Sequence, residues 1–474
     1  MNAVQLMAKC QAACRIALLL ATFALAGCAT YSDSFGVIER NLSAQQYDAA
    51  LQDIEKQSKS KNGLVLYLLD KGMVLRMKRD FAGSNQALEA AKAEMERLYA
   101  ASVSENALSF IVNDATVSYA GDDYEQVLVH LYMALNYLEL GQPDDARVEA
   151  LQVDIKLREI GEKIPESKFT EDALSRYLTG MIYEELGEWS DAMIAYRKAY
   201  EAYKKYQVNY GLAMPDMLKH DLLRLAQRQG LKDEAALYRK EFGIELPQEK
   251  KQKSGQEGEL VFVLNNGLAP IKREKTIGMW APPPAVVVDI SKQKAPVKPA
   301  MPVLVNIALP YYESRPNAVL SARVSVSGKQ VSSQLMEDID AIAKASLDSR
   351  MPAITARSIA RAVAKGAIQQ SVDRAGSSRD NDAGAALLGS FIVRVAAAAT
   401  ERADTRSWLT LPANIQMGRL SLPPGSYDVS VELLGTDDQV IATQVFPQVL
   451  IRKARKTYLT QHWVPIIPTT RRRK

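Results

Sequence analysis

The chain has 474 residues, room for two or three domains, and 47% of them are hydrophobic, enough to build sizeable cores. Its 59 Lys and Arg nearly balance 55 Asp and Glu, a formal charge of +4 that argues against a nucleic-acid binder. Of three cysteines, Cys10 and Cys14 fall within the first 27 residues, and the three histidines, His130, His220 and His462, are scattered. No Cys- or His-based metal site and no cofactor is therefore expected.

In chain order, Lys9 and Arg15 precede a ten-residue apolar stretch, Ile16 to Leu25, broken only by Thr22. That stretch is too short for a permanent membrane span and reads as an export signal. Leu25-Ala26-Gly27-Cys28 resembles the bacterial lipobox at every position. The resemblance implies that residues 1–27 are removed and that Cys28 carries the lipid anchor, with two or three acyl chains holding firmly where one would not. Ala29 after the cysteine resembles cargo sorted to the outer membrane, facing the periplasm. Loss of Lys9 and Arg15 with the signal lowers the charge from +4 to +2. The one remaining sulfhydryl is then committed to lipid, which removes disulfides and thiol chemistry.

From about 33 to 245 the pattern is helical, with very few prolines. Gly180, Tyr183, Leu186, Gly187, Trp189, Ala192, Tyr196 and Ala199 follow one another in an order that resembles the tetratricopeptide repeat. A second unit carries Met133, Ala134, Tyr137, Gly141, Ala146 and Ala150; a third carries Leu68, Gly72, Leu75, Phe81, Ser84, Leu88 and Ala91. A half unit stands at Tyr47, Ala50 and Ile54, and a weaker one at Gly230 and Ala235, where Arg239 takes the aromatic position. Ala50 and Ser84 are 34 residues apart; Ser84, Ala146, Ala192 and Ala235 then follow at 62, 46 and 43. An insertion is expected between Ala100 and Tyr124. Residues 28–246 thus form an all-α, tetratricopeptide-like solenoid. The resemblance implies a concave groove lined by Leu69, Met73, Arg76, Leu131, Leu135, Leu138, Tyr177, Met181 and Glu184, open to a peptide or helix of an envelope protein.

Pro247 to Glu257 is charged and reads as a linker. Residues 258–465 then form a β-rich, sandwich-like domain, giving an α+β multidomain chain. Strands are expected at Leu260–Leu264, at Met301–Pro310, as a pair across Val319–Val331 turned at Ser327-Gly328, and at Leu420–Leu434, Gln439–Val449 and Lys456–Trp463. Helices are expected at Gln334–Leu347 and Ala353–Asp373, and a small-residue helix at Gly384–Arg402, making a helical hairpin across about 334–402. Arg394 interrupts the apolar run of the last of these, so it is not expected to span a membrane. The basic tail, residues 466–474, ends in Arg471-Arg472-Arg473-Lys474 and is a candidate for cell-wall or headgroup contact.

Ala403 to Trp408, Leu411-Pro412 and Leu422-Pro423-Pro424-Gly425 resemble the carboxyl half of an uncharacterised family of proteobacterial lipoproteins. Within this stretch Asp404 and Arg406 are expected to pair and place Trp408. No nucleophile elbow, zinc-protease helix or phosphate loop occurs in the sequence. Ser291 to Lys294 matches Ser-x-x-Lys but lies in a Lys/Pro-rich loop, and Glu184-Glu185 sits on a repeat helix. The expected function is a periplasm-facing adaptor, not an enzyme, anchored in the outer membrane and binding an envelope protein through its groove. The alternative is an envelope enzyme or direct glycan binder using the second domain.

Overall fold

A computed structural model describes residues 35–56, 61–104, 118–163, 169–245, 257–281, 303–376 and 402–465. Among the described residues the amino-terminal part contains five antiparallel helix pairs: α1 Gly36–Ser43 with α2 Tyr47–Glu55, α3 Leu64–Met77 with α4 Phe81–Ser104, α5 Asp123–Glu139 with α6 Pro143–Lys163, α7 Ala173–Glu185 with α8 Trp189–Tyr210, and α9 Asp216–Arg228 with α10 Lys232–Phe242. α1 completes the unit that the sequence shows only by half.

Within every pair the connection is three residues long, and its middle residue is left-handed: Gln45, Arg79, Gly141, Gly187 and Gly230, with φ between 57° and 78°. Each turn closes by the same two backbone bonds, as in Arg79 N to Arg76 O (2.9 Å) and Asp80 N to Leu75 O (2.9 Å). This is the Schellman arrangement that satisfies the last carbonyls of a helix. Five residues past each left-handed residue stand Ala50, Ser84, Ala146, Ala192 and Ala235, all at most 2% exposed. The unequal spacings read from the sequence therefore keep one structural register through the array.

Small residues on the first helices let the second helices approach. A Cβ on Gly72 would lie 2.7 Å from Leu88 Cδ2, and one on Gly180 would enter the Tyr196 ring. Gly180→Ala is therefore expected to destabilise the protein by about 1–3 kcal/mol, because a packed ring must move off its rotamer. Urea unfolding measures this, and an unchanged midpoint would refute close packing at that crossing.

The carboxyl-terminal part holds β1 Gly258–Asn266, β2 Ile271–Ala281, β3 Val303–Glu313, β4 Ser321–Val326, β5 Lys329–Ser332, β6 Gln334–Asp338, α11 Ile339–Gly376, β7 Asn414–Leu422, β8 Gly425–Leu434, β9 Val440–Ile451 and β10 Lys456–Trp463. Among the described residues one four-stranded sheet has the order β10-β1-β7-β6, a second has β5-β4-β8-β9, and β2 pairs with β3 alone. The β4–β5 turn falls at Ser327-Gly328, both with positive φ (48° and 81°), the geometry a two-residue hairpin needs.

The two larger sheets stack as a sandwich. Leu260, Phe262 and Leu264 of β1 share a core with Val324 and Val326 of β4 and with Val429, Val431 and Leu433 of β8. The alternate residues, Val261 and Val263, join the core of the helical array instead. The β1 sheet is thus covered on both faces. That explains why Leu260 to Leu264 is apolar throughout rather than alternating.

Two expectations need correction. Gln334–Asp338 is a strand, not the start of a helix: it pairs with β7, and Met336 is fully buried among array residues. Sheet pairing and burial override its helix-forming composition. α11 then runs unbroken from Ile339 to Gly376 with Pro352 inside it, so the break expected near Ala353 is absent. The other arm of the expected hairpin, residues 384–402, lies almost wholly outside the described residues, as do Cys28, the linker at 247–256 and the basic tail. β2 escaped the sequence reading because Lys272, Arg273, Glu274 and Lys275 give it no apolar alternation.

Candidate functional site

The groove is present but closed. Leu69, Met73, Arg76, Leu131, Leu135, Leu138, Tyr177 and Met181 are all buried, and the Glu184 side chain is 9% exposed. What covers them is the chain itself. Leu69, Met73, Leu131, Leu135, Leu138, Tyr177 and Met181 share one core with Val261 and Val263 of β1, Met336 of β6, Ile415 and Met417 of β7, Tyr458 of β10, and Trp408. The expectation of a groove open to a partner is thereby corrected. The physical reason is the second apolar face of the β1 sheet, which would face water unless the array covered it.

Polar contacts fix the register between array and sheet. In the middle, Arg76 donates to Thr460 Oγ1 (2.9 Å) and to Asn136, and Tyr132 donates to Asn265 Oδ1 (2.9 Å). Asp70 accepts from the Thr410 hydroxyl (2.7 Å). His462 faces the same region. Burial, and then the charges of Arg76 and Arg79, push its pKa well below the usual value and keep it neutral.

Toward the later repeats, Arg419 of β7 donates to Glu259 (2.8 Å), to the Tyr177 hydroxyl (2.6 Å) and to Asp221. Arg224 holds both Asp221 and Glu184 (2.8 Å each), and Lys456 lies 3.7 Å from Glu184. Burial opposes the charge of Asp221, but Arg419 and Arg224 outweigh it and hold the carboxyl well below the usual range.

At the start of α5, Asp122 and Glu125 form a capping box. Lys272 (2.8 Å), Arg350 (3.0 Å) and the Tyr312 hydroxyl (3.0 Å) converge on Asp122. Glu125 accepts from the Asp122 N–H (3.0 Å), from the Trp408 N–H (2.7 Å) and from the Tyr119 hydroxyl. Burial, then the neighbouring Asp122 charge, pushes Glu125 up to about 7. Asp404 and Arg406 pair as expected, through two bonds of 2.8 Å, beside the buried Trp408.

A fourth cluster lies under α8. Tyr206 donates to Glu337 (2.9 Å), Tyr203 donates to the Met336 carbonyl (2.9 Å), and Asp172 caps α7 through Ser175 N (2.7 Å). Glu337 Oε2 and Asp172 Oδ2 are buried without hydrogen-bond partners. Burial raises Glu337 well above the usual range and pushes Asp172 up to about 6.

Sequence reasoning missed Asp70, Tyr132 and Asp221, which stand nine residues before the left-handed residues Arg79, Gly141 and Gly230. The available signal was polar groups at one repeat position of otherwise apolar first helices, such as Asp70 within Leu64–Met77. Among the described residues no three His, Cys, Asp or Glu gather as metal ligands, and no helix is long and apolar enough to cross a membrane. A surface cleft of 460 Å³ lies between α8 and α10, lined by Arg197, Tyr200, Glu234, Leu237 and Tyr238 among others, away from the sandwich.

Fold and seam together define an α+β protein whose helical repeat array is closed upon its own β-sandwich. No family model matches the chain, and no curated protein does. Among solved structures, the crystal structure of MamA is similar at 16% identity over 42% of this chain and 88% of that chain, with a TM-score of 0.27. A second structure of MamA protein shows 14% identity over 45% and 96%, with a TM-score of 0.28. Likeness at this level says nothing of what the chain does.

Proposed function

We propose that this protein is a lipid-anchored scaffold of the cell envelope. Cys28 tethers it to the outer membrane, and the helical array meets an envelope protein on its outer surface rather than in its groove. The observation that carries this reading is the occupied groove: a surface buried under the chain's own sheet is not free for a partner. The outer surface offers an alternative with the same repeat logic. Val148, Ile194 and Leu237 each stand seven residues after a left-handed glycine, and they are 53%, 49% and 57% exposed. Leu151 and Ile155 extend the row along α6. Exposed aliphatic side chains thus recur at one position of three consecutive units, where a partner could meet them.

The test is a photo-crosslinking residue at position 194 in cells, beside an Ile194→Asp/Leu237→Asp variant. One envelope protein is expected to be captured from position 194 and lost in the variant. The reading fails if both forms capture the same set. Groove substitutions such as Tyr177→Ala are expected to unfold the seam and so report stability, not partner choice. Labelled fatty acid incorporated by the wild type but not by Cys28→Ser tests the anchor separately.

A further inference from the structure

Sheet edges present unpaired backbone groups, and natural proteins cover, shorten or charge them. This molecule treats nearly all of its edges in that way. The outer side of β10 is held by the array: Arg79 donates to the Thr460 carbonyl (3.4 Å) and Glu185 accepts from the Lys456 N–H (3.0 Å). β6 gives its Met336 carbonyl to Tyr203. β5 is only four residues long and begins with Lys329. β2 carries four consecutive charged residues, Lys272 to Lys275.

β3 packs against α11, which leaves β9. It has 12 residues, Val440 to Ile451, none is charged, and Pro447 with the left-handed Gln448 interrupts only its last third. Among the described residues no strand lies beyond it. Val440, Val445 and Leu450 are 46%, 55% and 51% exposed. Register shifts opposite Leu433/Leu434 and Tyr427/Val429 bound a regular stretch, Ala442 to Phe446. Five residues is an ordinary length for strand pairing.

We propose that β9 pairs antiparallel with β9 of a second copy of this chain, joining two sandwiches through one continuous sheet. The charges at its ends single out that occupant. Asp437 and Asp438 precede the strand, and Arg452 and Lys453 follow it. All four are exposed, and none has an ion-pair partner among the described residues. A two-fold pairing centred on Gln444 sets Ala442 opposite Phe446 and Thr443 opposite Val445. It also lays the acidic start of each strand beside the basic end of the other. Parallel pairing would set like charge against like.

Sedimentation of the chain lacking residues 1–28 tests this. The wild type is expected to dimerise. Gln444→Lys, which puts like charges at the dyad, is expected to weaken the dimer at least about tenfold while leaving circular dichroism unchanged. Asp437→Lys/Asp438→Lys and Arg452→Glu/Lys453→Glu should each be monomeric alone, and mixing the two variants should restore a dimer. A monomeric wild type overturns the proposal and leaves the edge to a strand of another protein. A dimer indifferent to Gln444→Lys, or a mixture that stays monomeric, overturns it as well.

Discussion

Arg419→Met is expected to lower stability to urea by about 3–5 kcal/mol, since removing one partner of a buried ion pair leaves the others uncompensated. Arg419 joins Glu259 of β1, Tyr177 of α7 and Asp221 of α9, and of the cations that cross from the sandwich to the later repeats it makes the most hydrogen bonds to acidic and phenolic groups there. Arg224 stays on Asp221 in the variant, which places the loss toward the lower end of that range. The control is Arg323→Met. Arg323 pairs with Glu432 at 3.0 Å, but both side chains are about a third exposed, and a change of no more than about 1 kcal/mol is expected there. Equal losses in the two variants would mean that the seam contributes no more than a surface pair.

The second large effect is a stability maximum on the acid side of neutrality. Glu125 is pushed up to about 7 and Asp172 to about 6, both chiefly by burial, and Glu337 is raised well above the usual range. A carboxyl raised in the folded state binds its proton more tightly there than in the unfolded chain. Its contribution is complete below the unfolded pKa, near 4, and is lost as pH rises through the folded value. For Glu125 and Asp172 that window runs from about 4 to 7, and a shift of this size corresponds to about 3 kcal/mol when complete. Asp122 and Asp221 act in the opposite sense. Burial opposes their charge, but their Arg and Lys neighbours depress both, so their contribution holds above about 4 and fades below it. Thermal unfolding is therefore expected to peak near pH 5 and to fall toward pH 8. Glu337→Gln keeps the shape and removes the ionisation that burial opposes. It should raise the melting temperature at pH 8 by several degrees and change little at pH 5. A variant whose pH profile runs parallel to the wild type would remove Glu337 from this account.

These effects share one origin. The array closes on a sheet whose face mixes Val261, Val263, Ile415 and Met417 with Arg419 and Thr460, so polar groups are sealed together with apolar ones. A buried polar group needs a partner, and here the partners come from the other part of the chain. Asp70 with Thr410 and Tyr132 with Asn265 have no explanation within either part taken alone.

The sequence by itself determined the local structure wherever a short-range rule was decisive. Gly141, Gly187 and Gly230 mark three helix ends because a left-handed residue there favours glycine, and Gly180 marks a helix crossing because nothing larger fits under Tyr196. Ser327-Gly328 sets a hairpin, and Lys456–Trp463 is a strand at its expected bounds. Arg79 and Gln45 adopt the same left-handed turn without glycine, so those two helix ends were legible only from the repeat spacing. Tertiary structure decided the rest. Gln334–Asp338 became a strand because β7 offers an edge and the array a pocket for Met336. Seven of the nine groove residues became core, and Arg76 and Glu184 became polar ties across the seam, because the second face of the β1 sheet required cover. Repeat periodicity says which side chains share a face, but not what meets that face. Here the answer lies up to 384 residues away in the chain, as between Arg76 and Thr460, and no local pattern carries it.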